Sequence, residues 1–192
     1  MNRFAGLLLT ALLAGLAGCA GPGPVSAPVK DAPLTAASGE SFALDGRLSV
    51  HYGADSLSGK FAWTHAPERD EVSLASPLGN QIAQIVRDNA GVTLTNSNKQ
   101  QFHARDVETL TETRLGWRMP LAGLVDWVRG RPQGATAVVQ RDAAGRPATI
   151  KEDGWVVELS YEGEARQPQR LFLNYTRAEK PLDIRIAIDT RG

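Results

Sequence analysis

The side chains that most often carry chemistry are sparse in this sequence and poorly spaced for it. One cysteine and three histidines occur among 192 residues, so no disulfide closes within the chain and no Cys/His zinc set can be assembled. His51, His65 and His103 fall in or at the ends of predicted strands, and no two have the i,i+4 spacing of a helical metal motif. Ser56-Leu57-Ser58-Gly59 lacks the leading glycine of a nucleophile elbow. Gly21-Pro22-Gly23-Pro24 cannot cradle a phosphate, because its prolines have no amide hydrogen to donate. The carboxylates of Asp70-Glu71, Asp106/Glu108 and Glu152-Asp153 read as turn, cap and surface charge. With 21 Lys and Arg against 21 Asp and Glu the formal charge is zero, which argues against a nucleic-acid partner and against a polybasic membrane-surface protein. The residues therefore point away from an enzyme and away from a metal site.

The cysteine matters for its position. Arg3 is followed by fifteen uncharged residues, Phe4 to Gly18, a run too short for a membrane span and without a charged flank after it. It reads as an export signal over residues 1–18. The run ends in Leu16-Ala17-Gly18-Cys19, which resembles a bacterial lipobox: small residues admit the signal peptidase and the thiol receives diacylglycerol. Cys19 is then the lipidation site, carrying S-diacylglycerol and an N-acyl chain such as palmitate, and no other cofactor is expected. An ordinary secretory peptide with a stray cysteine is the alternative. Ala20, where Asp would signal inner-membrane retention, points to the outer membrane of a Gram-negative bacterium, facing the periplasm. Each buried methylene of the anchor contributes about 0.8 kcal/mol, so two or more chains hold it permanently. Removal of 18 residues leaves 174 and takes away one charge, Arg3.

Residues 19–40 form the lipidated end and a tether holding four of the eleven prolines and no apolar periodicity. As a coil, a stretch of this length spans on the order of 25–30 Å. A folded domain is expected over residues 41–192. Phe42, Leu44, Leu48, Val50 and Tyr52 alternate with Asp45, Arg47, Ser49 and His51, and Leu57, Phe61 and Trp63 alternate with Ser58, Lys60 and Thr64; both are period-2 strands with one dry face. Further strands are expected over 71–75, 81–87, 91–96 and 100–104. Asp106 suits the N-cap of a helix with Val107, Leu110 and Arg114-Leu115 on one side, stopped by Gly116. Pro120 suits the first turn of a second helix, with an apolar stripe of Leu121, Leu124, Val125 and Val128 ending at Gly130. Strands resume over 135–141, 147–152, 155–161, 169–177 and 182–188, with Asp153-Gly154 as a two-residue hairpin turn.

About eleven antiparallel strands in one twisted sheet must curl or close, and two short amphipathic helices are too short to stand alone. They belong across the open side of the curve. The interior is then either a packed core or an apolar cavity able to hold a hydrophobic ligand, and periodicity does not choose between them.

Phe42-Ala43-Leu44-Asp45-Gly46-Arg47-Leu48-Ser49-Val50, Phe61-Ala62-Trp63, Leu74-Ala75-Ser76-Pro77-Leu78-Gly79, Leu115-Gly116 with Met119-Pro120, Leu124-Val125-Asp126-Trp127-Val128-Arg129-Gly130-Arg131-Pro132 and Gly154-Trp155 follow one another behind the lipobox. In that order and spacing they resemble the LolB family of outer-membrane lipoprotein receptors. The resemblance implies an unclosed antiparallel β-barrel with a helical lid over an apolar cavity. It implies a monomer that takes lipoprotein cargo from a periplasmic carrier, LolA, and inserts it into outer-membrane phospholipid. Family members commonly show a helix before the first strand, for which residues 33–41 have little pattern, and an aromatic carboxy-terminal residue, where this chain has Asp189-Thr190-Arg191-Gly192.

On this resemblance Pro77, Leu78 and Gly79 form a protruding loop whose leucine acts in delivery to the membrane; without it, Leu78 could equally fold back on the sheet edge. Leu48, Val50, Phe61, Trp63, Leu121, Leu124, Val125 and Trp127 are the candidates for cavity and lid, and Trp127 could instead pack the lid down. Arg47, Arg114, Arg118, Arg129 and Arg131 could meet an acidic partner. A lipid-anchored scaffold or inhibitor with a filled core and a protein partner is the competing reading, and an anchored hydrolase a third.

Overall fold

A computed structural model describes residues 41–177 and 179–192. The expected signal segment, Cys19 and the tether to residue 40 lie outside these residues. Thirteen elements follow in chain order among them: β1 (Phe42–Tyr52), β2 (Asp55–Ala66), β3 (Arg69–Ala75), β4 (Gln81–Asp88), β5 (Gly91–Asn96), β6 (Gln101–Ala104), α1 (Val107–Leu115), α2 (Leu121–Trp127), β7 (Val138–Arg141), β8 (Pro147–Glu152), β9 (Trp155–Ser160), β10 (Arg170–Tyr175) and β11 (Leu182–Arg191).

Six strands meander outward from β1, the two helices cross over, and five strands return from the far edge to pair β11 with β1. The sheet order is β6-β5-β4-β3-β2-β1-β11-β10-β9-β8-β7, and every pairing is antiparallel. The edges β6 and β7 do not pair, so the curled sheet stays open, and α1 and α2 form the link between those two edges. This is the unclosed barrel with a helical lid that the resemblance implied.

Alternation explains which face is dry. Leu44, Leu48 and Val50 of β1, Trp63 of β2, Val72 and Leu74 of β3, Val157 and Leu159 of β9 and Ile184 and Ile188 of β11 are buried in one cluster with Leu121, Leu124 and Trp127 of α2. Glycines shape the curve of that face. A Cβ on Gly46 would lie 2.2 Å from the Ala187 carbonyl oxygen and 2.7 Å from the Phe61 ring, so the bare backbone is what admits Phe61 across the strand. Register shifts at Asp45/Gly46 against β11 and at Leu74/Ala75 against β4 add the extra twist that bulges supply.

The helix ends follow their caps. The Asp106 carboxylate accepts from the Thr109 amide at 2.8 Å, and Gly116 closes α1 in the left-handed region with φ 85°. Asp106→Ala is expected to cost about 1 kcal/mol, read as a lower urea midpoint at unchanged slope. Arg114 is not on the buried side of α1: it is exposed, with its guanidinium 3.8 Å from the Phe102 ring centroid, and Thr111 is buried instead.

Among the boundaries that differ from the alternation pattern, three have a clear backbone reason. The helix α2 ends at Trp127, after which Gly130 donates to the Trp127 carbonyl at 2.9 Å and turns the chain with φ 71°. Strand β7 begins at Val138, three residues later than expected, because residues 134–137 form a turn in which the Ala137 amide donates to the Gly134 carbonyl at 3.3 Å. Strand β11 runs on to Arg191, since β1 offers pairing partners at Leu44 and Asp45 after the apolar alternation has stopped. Asp153 and Gly154, with φ 49° and 84°, form the two-residue turn that joins β8 to β9.

Candidate functional site

Between the sheet and α2 lies a cavity of about 40 Å³, walled by apolar side chains throughout. Of the eight candidates for cavity and lid, Leu48, Phe61, Trp63, Leu121 and Leu124 line it. Val50, Val125 and Trp127 do not. Val50 is fully buried in the β1 wall, and Val125 lines a separate cleft where the helices meet His65, Asp70 and Arg87 of the sheet.

Trp127 turns the other way along α2, toward the returning strands. Its ring is 6.1 Å from that of Trp155, which is in turn 4.8 Å from Tyr175. Its indole N–H donates to the Glu152 carboxylate of β8. The same carboxylate accepts from the amides of Gln133 at 3.0 Å and Gly134 at 2.9 Å. Glu152 is thus buried and fully engaged, not the surface charge its place beside a turn suggested.

The sequence reading missed part of the wall. Val72, Leu74, Ile184 and Ile186 are inward positions of alternating strands, and the alternation alone would have found them. Trp117 and Met119 are different: they sit in the five-residue link between α1 and α2, where no periodicity operates, and are buried because the Met119 amide is tied to the Thr111 hydroxyl at 3.0 Å.

Asp70, read from the sequence as a turn charge, is a buried residue of β3. At 1% exposure it accepts from the Trp63 indole at 2.9 Å, the His65 ring at 2.7 Å and the Arg87 guanidinium at 2.6 Å. Because a carboxylate ion-paired with arginine only accepts, His65 donates through Nδ1. This network holds the Trp63 ring against the cavity. Nearby, burial raises the Asp126 carboxyl above its ordinary value, against the opposing pull of Arg131 and Arg129. Among the described residues no group of three metal-ligating side chains occurs.

The arginines considered for partner docking are engaged within the chain. Arg47 pairs with Asp189 at 2.8 Å, Arg118 with Glu108 at 2.6 Å and Arg131 with Asp126 at 3.7 Å, while Arg129 lies 4.7 Å from the Phe42 ring centroid.

The β3–β4 loop carries the opposite kind of feature. Gly79 donates to the Ser76 carbonyl at 2.8 Å and takes φ 92°, and the Asn80 amide is held by the Ser76 hydroxyl at 3.1 Å. This tight turn presents Leu78 outward at 90% exposure, with Val138 the other exposed large apolar side chain among the described residues. Leu78 does not fold back onto the sheet edge.

Comparisons with known proteins agree with this architecture. The family model described as outer membrane lipoprotein LolB matches residues 40–190. An outer-membrane lipoprotein LolB of Thiobacillus denitrificans is 36% identical over 191 residues, covering 99% of this chain and 97% of the relative. Its counterparts in Chromobacterium violaceum and Nitrosomonas europaea are 41% identical over 159 residues and 40% identical over 155, covering 80% and 76% of this chain and 81% and 72% of theirs. The chain belongs to the LolB family.

Proposed function

We propose that this protein is an outer-membrane-anchored receptor, lipidated at Cys19, that accepts lipoproteins from a LolA-like periplasmic carrier and inserts them into the membrane. The observation that carries the reading is the wholly apolar cavity under a short lid, in a chain of this family. Its lining of apolar side chains suits holding a ligand by burial of hydrocarbon surface.

The energetics set the task. Two or three long acyl chains released into water would lose about 0.8 kcal/mol per methylene, on the order of tens of kcal/mol in total. Cargo must therefore pass from one apolar enclosure to the next. Non-directional methylene packing against Leu, Ile and Met suits chains of differing number and length. A cavity of about 40 Å³ has room for about three water molecules, at roughly 10–15 Å³ each, so a long acyl chain needs the interior to widen. Loading requires α2, which carries Leu121 and Leu124 of the roof, to move away from the sheet. Delivery then reverses the motion, with Leu78 at the membrane surface orienting the mouth of the barrel.

The small resting volume also suits a lipid-anchored scaffold with a filled core, and one experiment separates the two. A soluble Cys19→Ala form is mixed with carrier–lipoprotein complex, and the cargo is followed by size-exclusion chromatography. Cargo is expected to move onto this protein, and a fluorescent fatty acid to bind it and be displaced by lipopeptide. Cargo remaining on the carrier, with no fatty-acid binding, would establish the scaffold.

A further inference from the structure

The contacts of α2 divide by face. Leu121 and Leu124 roof the cavity, while Trp127 fills the space beneath the returning strands β8–β10. The indole folds back under its own helix so closely that a Cβ on Gly123, one turn earlier, would lie 2.5 Å from it. Glycine at 123 is what lets the ring lie there. The plug is held at its polar end by Glu152, whose other two donors, the amides of Gln133 and Gly134, come from the segment that leads out of the lid. One buried carboxylate on the barrel wall thus fastens both the last residue of α2 and the chain that follows it. At the other end the lid is tied to α1, through Thr111 to the Met119 amide and Arg118 to Glu108, and Arg118 also lies 5.6 Å from the Tyr175 ring centroid of β10.

We propose that Glu152 is a positioning residue for cargo binding: it clasps Trp127 in the barrel as a removable plug and so sets how often the lid opens to acyl chains. The proposal rests on the receptor reading above. With α1 capped and α2 tied to it, the Glu152 end is where the lid parts from the wall. Withdrawal of the indole adds the volume of a tryptophan side chain to an interior that otherwise offers about 40 Å³. Binding to a state populated only part of the time is weakened by that fraction, so loosening the clasp strengthens binding. That direction is opposite to the effect of a merely structural contact.

The test is Glu152→Gln in the soluble Cys19→Ala protein. The amide keeps one acceptor oxygen but turns an N–H toward amides that themselves donate, so it weakens the clasp with little change of shape. Affinity for a fluorescent sixteen-carbon fatty acid is expected to rise roughly ten-fold, with faster association, because one charge-assisted hydrogen bond is worth about that factor. Trp127→Phe, which removes the indole donor and keeps an aromatic ring, is expected to shift affinity the same way and serves if Glu152→Gln does not fold. Unchanged or weaker binding by folded variants, with the unsubstituted protein binding normally, would overturn the clasp and leave the receptor reading intact. Failure of every form to bind would overturn the receptor reading and the clasp with it.

Discussion

Asp70→Ala is expected to destabilise the domain by about 3–5 kcal/mol, the cost of leaving buried partners of a removed charge uncompensated. The carboxylate is 1% exposed and three side chains converge on it, from β2 (Trp63, His65) and β4 (Arg87). Its removal strands the buried indole N–H of Trp63 and imidazole N–H of His65 away from water and takes the ion-pair partner from the part-exposed Arg87 guanidinium. Against a typical total of about 5–15 kcal/mol this is a large share of stability. Urea unfolding followed by far-ultraviolet circular dichroism measures it. An effect below about 1 kcal/mol would mean the network relaxes or hydrates at no cost. Arg47→Ala is the informative contrast, because that residue and Asp189 are largely solvated and such pairs contribute little. The effect also reaches the cavity: Trp63 spans both environments, its ring on the apolar wall and its N–H on Asp70, so a loosened Trp63 should weaken fatty-acid binding in whatever fraction remains folded.

Leu78→Glu is expected to leave folding and receipt of cargo intact and to slow insertion into liposomes roughly ten- to a hundred-fold. The side chain is 90% exposed and the turn that carries it is held by Ser76 and Gly79, so the substitution removes no packing. Stability should move by no more than about 0.5 kcal/mol. Burying one leucine in a bilayer is worth about 1.5–3 kcal/mol, and that much lost from the barrier to membrane engagement gives the stated factor. Insertion by the purified variant at the unsubstituted rate would remove Leu78 from the delivery step.

Much of the fold was legible because a half-barrel is built from simple periodicities. Strand β8 has the expected bounds, α1 starts and stops at its anticipated caps, and Asp153-Gly154 forms its hairpin. What could not be read were the places where side chains override the local pattern. The Glu152 carboxylate holds the amides of Gln133 and Gly134, and the turn that follows, closed by Ala137 on the Gly134 carbonyl, delays β7. Asp70 and Glu152 look solvated in sequence because each adjoins a turn, and only the partners brought by β4 and by the lid explain their burial. Of the cavity, the strand positions were recoverable, whereas Trp117 and Met119 lie in an aperiodic link. Trp127 was placed correctly on the lid, but the face it presents depends on Gly123, whose role is invisible until the indole is seen above it.

The pairing of β1 with β11 joins Leu44 to Arg191 and Tyr52 to Leu182, so the centre of the sheet is made from the two ends of the domain. Such long sequence separations slow folding, because the loop-closure entropy must be met before the contact forms. Until residues 182–191 emerge and dock, β1 and β10 are open edges with apolar faces, a condition that invites association with other chains. The rate-limiting event in refolding is therefore expected to be closure of this seam, and the nascent chain is most exposed to aggregation just before its last strand arrives.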